Sequence, residues 1–352
     1  MMVLAAILLA LVWNGLDVWD QRTIPLPDGS ERVEMSVYNR GDDTSGRQLG
    51  KAEIKELFAK ISAAVGYKVD PFNAPHQKQR NGGFQYEYKG VSWGITDGVL
   101  DYARITTGGS SKRVAKGDVG KRVKKLAGGD VLIDSVPMVD QGQKGYCAVA
   151  VAERVLRYYG NDVDEHQLAQ MAGSTAEGGT SVDEMKSSVK RIGSKCRLGF
   201  NEIVSMGGTI KDVQKDIDAY NKAAKSMKRP AISFDQFLVG NMFMMSAMQA
   251  AMEPEVLLKM RTKDARYKKF MTMVKTRIDQ GVPVFWGVTL GIFPELGLPQ
   301  ADGGHMRLII GYNTAQNEIL YTDSWGAGHE LKRMSADRAF AITHDAFTLR
   351  PL

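Results

Sequence analysis

The stretch QGQKGYCAVAVAERVLRYYG, residues 141–160, decides the fold of this chain. A glycine-containing loop leads into an apolar run with helical spacing at Val151 and Val155, and the run stops at Gly160, a common signal for a helix end. Cys147 lies where the loop becomes the helix. A helix N-terminus stabilises negative charge, and only the thiolate of a cysteine is a good nucleophile. Cys147 is therefore a candidate nucleophile, and a small buried side chain is the alternative.

A glutamine stands six positions before the cysteine, at Gln141. The intermediate of acyl transfer needs hydrogen-bond donors for its oxyanion, usually a backbone N–H and a side-chain amide. Gln141 can supply the amide, and the N–H of Cys147 can supply the other donor. Gln143 is a second candidate for the amide, although its spacing to the cysteine is less suitable.

A general base is the next requirement, and His305 stands out among the five histidines of the chain. It follows a glycine at the start of GHMRLIIGYN, so it would project from a strand end. A base also needs an acceptor on its second ring nitrogen. Asp323 lies eighteen positions later in YTDSWG, and two antiparallel strands can bring both side chains together. Trp325 would then cover this pair and exclude water.

The order of these residues, with GGHMRLIIGYN and DSWG around the last two, resembles the papain-like cysteine peptidases. The helices after the cysteine and GVPVFWGV before the histidine look more like the branch that trims double-glycine leader peptides from bacteriocins, with its free-standing relatives. The resemblance implies that Cys147 is the nucleophile and that Gln141 stabilises the oxyanion. It also implies that His305 is the general base and acid and that Asp323 orients it. The implied reaction is hydrolysis of a peptide bond through an acyl-enzyme.

The resemblance covers roughly residues 131–200 and 280–352, and the chain departs from the family pattern in three ways. Ala148 follows the cysteine, where the branches usually have Gly or Trp. Asp323 is the orienting residue of the double-glycine branch, yet Ser-Trp-Gly follows it as in papain. About 80 residues are inserted between the two halves of the site.

The resemblance implies an α+β, papain-like fold over residues 131–352, with a helical half, an antiparallel sheet half and a helical insertion at about 200–280. Strand-like alternation, helical spacing and a hairpin pattern predict a small α+β domain at 30–108. Residues 109–130 have seven basic and two acidic side chains and are predicted to be a linker. Residues 1–20 form an apolar, signal-like segment.

The apolar run MMVLAAILLALVW is shorter than the about 20 residues that span a bilayer, and it suits the core of a signal peptide. It predicts an exported protein that is periplasmic, secreted or membrane-anchored. An uncleaved anchor would attach the chain to a membrane. A buried first helix or strand is the alternative.

The expected partner is a peptide or protein substrate. The net charge is +6, and the basic run lacks interleaved aromatic residues, so no nucleic acid is expected. The histidines are dispersed and no phosphate-binding G-x-x-x-x-G-K-[ST] loop occurs, so neither a metal nor another cofactor is expected.

Two other functions fit the same residues. The acyl-enzyme could pass its acyl group to an amine, as in a transglutaminase-like cross-linker. Alternatively, the chain could be an inactive peptide-binding relative whose contact surface is the methionine-rich segment 242–252. That segment is also compatible with an ordinary helical core.

Overall fold

A computed structural model of the chain divides it into two compact units. The first comprises residues 1–113 with 160–171, and the second comprises residues 114–159 with 172–352. The structure describes residues 11–18, 20–25, 30–40, 48–76, 78–80, 85–96, 98–109, 114–139, 141, 147–161, 168, 182–206, 209–240 and 242–352.

The first unit is an antiparallel sheet with one long helix. Its elements are β1 (Leu11–Trp13), β2 (Leu16–Val18), β3 (Asp20–Pro25), β4 (Glu31–Asn39), α1 (Lys51–Val65), a 3-10 turn (Ala74–His76), β5 (Lys78–Arg80), β6 (Gln85–Tyr88), β7 (Val91–Thr96) and β8 (Val99–Gly108). Six strands pair in the order β3-β4-β8-β7-β6-β5, while β1 and β2 form a separate hairpin.

The core of the first unit lies between α1 and the sheet. Phe58 of α1 meets Trp93 of β7 edge to face, with the ring centroids 5.4 Å apart. The predicted hairpin around Lys89 and Gly90 is confirmed, since Tyr88 pairs with Val91. The two turn residues have φ values of 48° and 86°, as a two-residue turn with positive φ at both central positions requires.

Part of the predicted signal-like segment belongs to this core. Leu16 and Val18 are buried with the apolar residues of α1 and the sheet. Residues 1–10, which hold most of the apolar run, lie outside the described residues. Among the helices that the structure describes, none has the length and hydropathy needed to cross a membrane. Membrane attachment through this segment stays a prediction.

The second unit holds the remaining elements. These are α2 (Lys116–Val119), a 3-10 turn (Gly120–Arg122), β9 (Val123–Lys125), β10 (Asp130–Ile133), α3 (Cys147–Tyr158), α4 (Val182–Lys195), β11 (Leu198–Ser205), α5 (Ile210–Ser226), a 3-10 turn (Phe234–Phe237), β12 (Leu238–Val239), β13 (Met242–Phe243), α6 (Met245–Ala251), α7 (Pro254–Thr262), α8 (Ala265–Asp279), β14 (Val284–Leu290), β15 (Gly303–Asn313), β16 (Glu318–Thr322), β17 (Lys332–Ser335), α9 (Ala336–Ala341) and β18 (Thr343–Pro351).

An eight-stranded antiparallel sheet organises this unit. Its main path is β11-β18-β14-β15-β10-β9, and β15 also pairs with β16, which pairs with β17. The pairing of β15 changes along its length, with β14 opposite residues 303–309 and β10 opposite residues 311–313. Residues 109–130 were predicted to be a basic linker. This range contains strand β9, which belongs to the same sheet.

Helix α3 is buried on nearly all sides. Ten of its twelve residues are buried, including Ala148 directly after the cysteine. The buried residues include Glu153 and Arg154 besides the apolar ones, and α3 packs against β15 of the sheet. The predicted α+β class is confirmed, with Cys147 on the helical side and both His305 and Asp323 on the sheet side.

The predicted insertion at about 200–280 is mostly helical, from α5 to α8. Its first residues are not part of a helical insertion, because they form β11, which pairs with β18 and belongs to the main sheet. The methionine-rich segment is divided between core and surface. Met248 and Met252 are buried, whereas Met242 and Met244 are 68% and 42% exposed at the β12–β13 hairpin.

Candidate active site

The sheet side of the site is built on β15. His305 and Arg307 are two positions apart, so their side chains project from the same face of the strand. Leu308 pairs with Thr322 of β16, so Asp323 follows directly at the end of that strand. His305 Nε2 lies 2.9 Å from Asp323 Oδ1, and both side chains are buried. The two predicted residues are therefore in direct contact.

The helix side supplies the thiol. Cys147 is the first residue of α3, and its half-buried thiol lies close enough to His305 for each group to shift the pKa of the other. The Nε2 atom of His305 is occupied by Asp323. Within the described part of the chain, Nδ1 of the same ring has no hydrogen-bond partner. Nδ1 is therefore the ring atom that can exchange a proton with Cys147.

The protonation of these groups follows from their mutual contacts. Burial raises the pKa of the Cys147 thiol, but the hydrogen bond and charge of His305 outweigh burial and lower the pKa overall. Burial lowers the pKa of His305, and the hydrogen bonds to Asp323 and Cys147 raise it by more. The pKa of Asp323 is lowered despite burial, because His305 and Arg307 stabilise its charge. These directions favour a thiolate–imidazolium pair beside a carboxylate.

Trp325 covers one face of the base, as the sequence predicts. Its ring is stacked on the imidazole of His305, with centroids 4.2 Å apart and an interplanar angle of 4°. His329 meets the same indole edge to face at 5.5 Å. The half-buried indole therefore limits access of water to the His305–Asp323 hydrogen bond.

Gln141 is buried and is tied to the strand side of the site. Its backbone N–H donates to the carbonyl oxygen of Ser324 at 2.8 Å. Its side-chain oxygen Oε1 has no partner among the residues that the structure describes. Gln143 lies outside the described residues, as does the rest of the loop at 142–146.

Arg154, a buried arginine on α3, was not among the site residues predicted from the sequence. Its Nη1 donates to the carbonyl oxygen of Asp323 at 2.7 Å, and its Nη2 donates to Thr322 Oγ1 at 2.7 Å. Its Nε donates to the carbonyl oxygen of Pro137 at 2.8 Å. Burial lowers the pKa of Arg154 to about 10, so the side chain stays charged. A lone arginine inside the apolar run AVAERVL was the available signal.

Arg307 was also absent from the predicted site residues, and its signal in the sequence is of the same kind. It lies within the apolar strand run MRLIIG, and its Nε is 3.0 Å from Asp323 Oδ1. The guanidinium is fully buried and lies over the ring of Tyr321 at 4.7 Å. Among the described residues, no cluster of three or more His, Cys, Asp or Glu side chains could hold a metal ion.

Comparisons with known proteins found one family model and similar solved structures. The model of the Peptidase C39 like family matches residues 133–347, more than half of the chain. Two solved structures are similar. The peptidase domain of Streptococcus ComA, a bifunctional ABC transporter of a quorum sensing pathway, is 12% identical with a TM-score of 0.30, covering 62% of this chain and 100% of its own. Xylellain, a cysteine protease from Xylella fastidiosa, is 13% identical with a TM-score of 0.30. The match covers 69% of this chain and 91% of the xylellain chain.

No curated protein matches the sequence. The family match spans all four residues that the sequence predicts for the site, from Gln141 to Asp323. The chain therefore belongs to the peptidase C39-like family and is a cysteine-type peptidase.

Proposed function

We propose that the chain hydrolyses peptide bonds through an acyl-enzyme on Cys147, with His305, Asp323 and Gln141 in the roles that the sequence predicts. The observation that carries the proposal is a single chain of contacts. Cys147 lies close enough to His305 for His305 to lower the pKa of its thiol, and His305 Nε2 lies 2.9 Å from Asp323 Oδ1. A nucleophile, a base and an orienting acceptor in mutual contact are the parts that covalent acyl transfer needs.

In the acylation step, the Cys147 thiolate attacks the carbonyl carbon of the scissile bond. The negative charge that forms on the oxygen is stabilised by the N–H of Cys147 and by the amide of Gln141. His305 Nδ1 then gives its proton to the leaving amine as the carbon–nitrogen bond breaks. The products of this step are a free amine and a thioester on Cys147.

In the deacylation step, His305 is neutral and removes a proton from a water molecule. The resulting hydroxide attacks the thioester carbonyl, and the carbon–sulfur bond breaks. Cys147 leaves as the thiolate beside a protonated His305, and the acid product departs. Asp323 accepts a hydrogen bond from Nε2–H throughout, which keeps the ring oriented and favours its charged form.

The test compares the wild-type protein with Cys147→Ala and Cys196→Ala on a mixture of unstructured peptides, read by mass spectrometry. Cys196 is the matched control, because it is the second of the two cysteines in the sequence and is buried. We expect Cys147→Ala to lose turnover while keeping the wild-type melting temperature, and Cys196→Ala to remain active. Turnover by folded Cys147→Ala would contradict the acyl-enzyme.

The same spectra identify the acceptor of the acyl group. Hydrolysis adds the mass of water to the summed residues of the acyl fragment, whereas transfer to an added amine adds the mass of that amine to the same residues. We expect hydrolysis to dominate in the presence of millimolar lysine methyl ester. Predominant amine incorporation would assign a transferase to the same residues.

A further inference from the structure

One guanidinium joins two carboxylates beneath the site. Arg307 Nε lies 3.0 Å from Asp323 Oδ1, and Nη1 lies 3.1 Å from Glu295 Oε1. The Arg307 side chain is 0% exposed, and a buried cation is tolerated only where it is paired. The oxygen that Arg307 contacts on Asp323 is the same one that receives His305 Nε2.

We propose that Arg307 is a positioning residue of the peptidase site, which holds Asp323 Oδ1 toward His305 and sets the pH range in which the Cys147–His305 pair is charged. The inference rests on the proposed function of Cys147, His305 and Asp323. Arg307 itself acts through Asp323 and does not contact the reacting atoms.

Arg307 affects the orientation of the Asp323 carboxylate. Asp323 Oδ1 receives both His305 and Arg307, whereas Oδ2 has no hydrogen-bond partner in the described part of the chain. Oδ2 lies 4.0 Å from Lys332 Nζ, so a weaker attraction acts on the other side of the carboxylate. Without Arg307, the attraction to Lys332 would compete with the hydrogen bond to His305 in setting the orientation of the Asp323 carboxylate. A hydrogen bond weakens steeply when its angle is lost.

Arg307 also acts on the site through its positive charge. A guanidinium stays protonated at every pH that proteins tolerate. A fixed positive charge lowers the pKa of each acid near it, whether that acid is a carboxyl, a thiol or an imidazolium. Arg307 thus keeps Asp323 ionised in spite of burial, and it opposes the rise in the pKa of His305 that Asp323 causes. Its removal would move both titrations of the Cys147–His305 pair to higher pH.

The loop between β14 and β15 is bound to the same arginine. Glu295 lies in this loop and accepts from Arg307 on Oε1 and from the Tyr321 hydroxyl on Oε2. One residue further on, Leu296 is 98% exposed, and the loop then enters β15 two positions before His305. Glu295 therefore anchors the loop to the same guanidinium that orients Asp323.

The test measures kcat/KM and the rate of Cys147 alkylation by iodoacetamide against pH, for wild type, Arg307→Gln, Arg307→Lys and Glu295→Gln. We expect Arg307→Gln to move both the acidic and the basic limb of the pH profile upward by about one pH unit. A charge within about 6 Å of a titrating group shifts its pKa by about this amount. Plateau kcat falls about tenfold, and KM changes less. Arg307→Lys keeps the charge and restores the limbs, but lysine does not reproduce the two-pronged geometry, so kcat stays low.

Glu295→Gln is the matched variant of opposite sign, because it removes the negatively charged partner of the same guanidinium. We expect its limbs to stay in place or to move to lower pH. An Arg307→Gln variant that melts like wild type, with unmoved limbs and kcat within about twofold, would overturn the proposal. If Arg307→Gln does not fold, Arg307→Lys decides, since wild-type kcat in that variant contradicts the orienting role.

The two proposals fail separately. If the wild-type Cys147 itself shows the alkylation profile of an ordinary thiol, the proposed peptidase mechanism is wrong. If the wild-type profile is that of a thiolate–imidazolium pair and the Arg307 variants leave it unmoved, only the role of Arg307 is wrong.

Discussion

The indole of Trp325 lies parallel to the imidazole of His305, with ring centroids 4.2 Å apart and an angle of 4° between the planes. An aromatic face attracts a cation, and this attraction is stronger where water is excluded. His305 is buried on its other sides and bound to Asp323. Trp325 therefore stabilises the charged ring and protects its hydrogen bond from water.

Replacing Trp325 by alanine is expected to lower kcat/KM about tenfold, because water then competes with Asp323 for His305 Nε2 and the ring loses about 1 kcal/mol of cation–π attraction. Trp325→Phe keeps an aromatic face and is the matched variant, with activity between the two. The measurement is kcat/KM at the pH optimum for all three proteins. Wild-type activity in Trp325→Ala would show that the stacking has no part in the reaction.

The lowered pKa of the Cys147 thiol predicts fast alkylation in acid. A depressed thiol pKa means that the thiolate persists below the ordinary value, and a raised His305 pKa means that its partner stays protonated there. We expect Cys147 in the native protein to react with iodoacetamide at about pH 5 at least tenfold faster than the same cysteine in urea. His305→Ala is expected to remove most of this difference, and peptide mass spectrometry reads each site.

The positions of Cys147 at a helix start and of His305 beside Asp323 were largely predictable because their signals are local. A loop that becomes a helix at Cys147 and a strand that begins near His305 are visible within a few residues each. The contact between His305 and Asp323 then needs only one antiparallel pairing of neighbouring strands. Period-two and helical patterns specify such elements without knowledge of the rest of the fold.

The role of Arg154 was not predictable, since its partners on the sheet side are remote along the chain. Arg154 reaches the carbonyl oxygen of Asp323 across 169 positions. The pairing of β11 with β18 is similar, because it joins residues about 150 positions apart. Register between distant strands depends on which faces are buried in the assembled sheet, and an arginine in an apolar run signals burial without naming its partner.

His344 predicts how stability depends on pH. Burial, and next the charge of Arg261, lower the pKa of His344 to about 4, while Thr289 Oγ1 contacts its Nε2. The unfolded chain titrates near pH 6.5 and binds this proton more readily, so stability is lost as the pH falls from about 6.5 to 4. We expect a loss of about 3 kcal/mol from this group. Urea denaturation at pH 7 and 4.5 should show a smaller loss in His344→Gln, and an equal loss would refute the assignment.

Arg154 is expected to matter for stability more than any exposed cation. Its three hydrogen bonds join α3 to the segment that carries Asp323 and to the chain before the nucleophile. Arg154→Ala would leave the buried carbonyl oxygen of Asp323 and the partly buried one of Pro137 without their donor, at a cost of about 1–3 kcal/mol for a buried group. The free energy of unfolding in urea should therefore fall by several kcal/mol. Lys222→Ala, an exposed change on α5, is the control and should stay within about 0.5 kcal/mol of wild type. A small effect of Arg154→Ala would mean that water satisfies these carbonyl groups and that packing alone holds α3 beside Asp323.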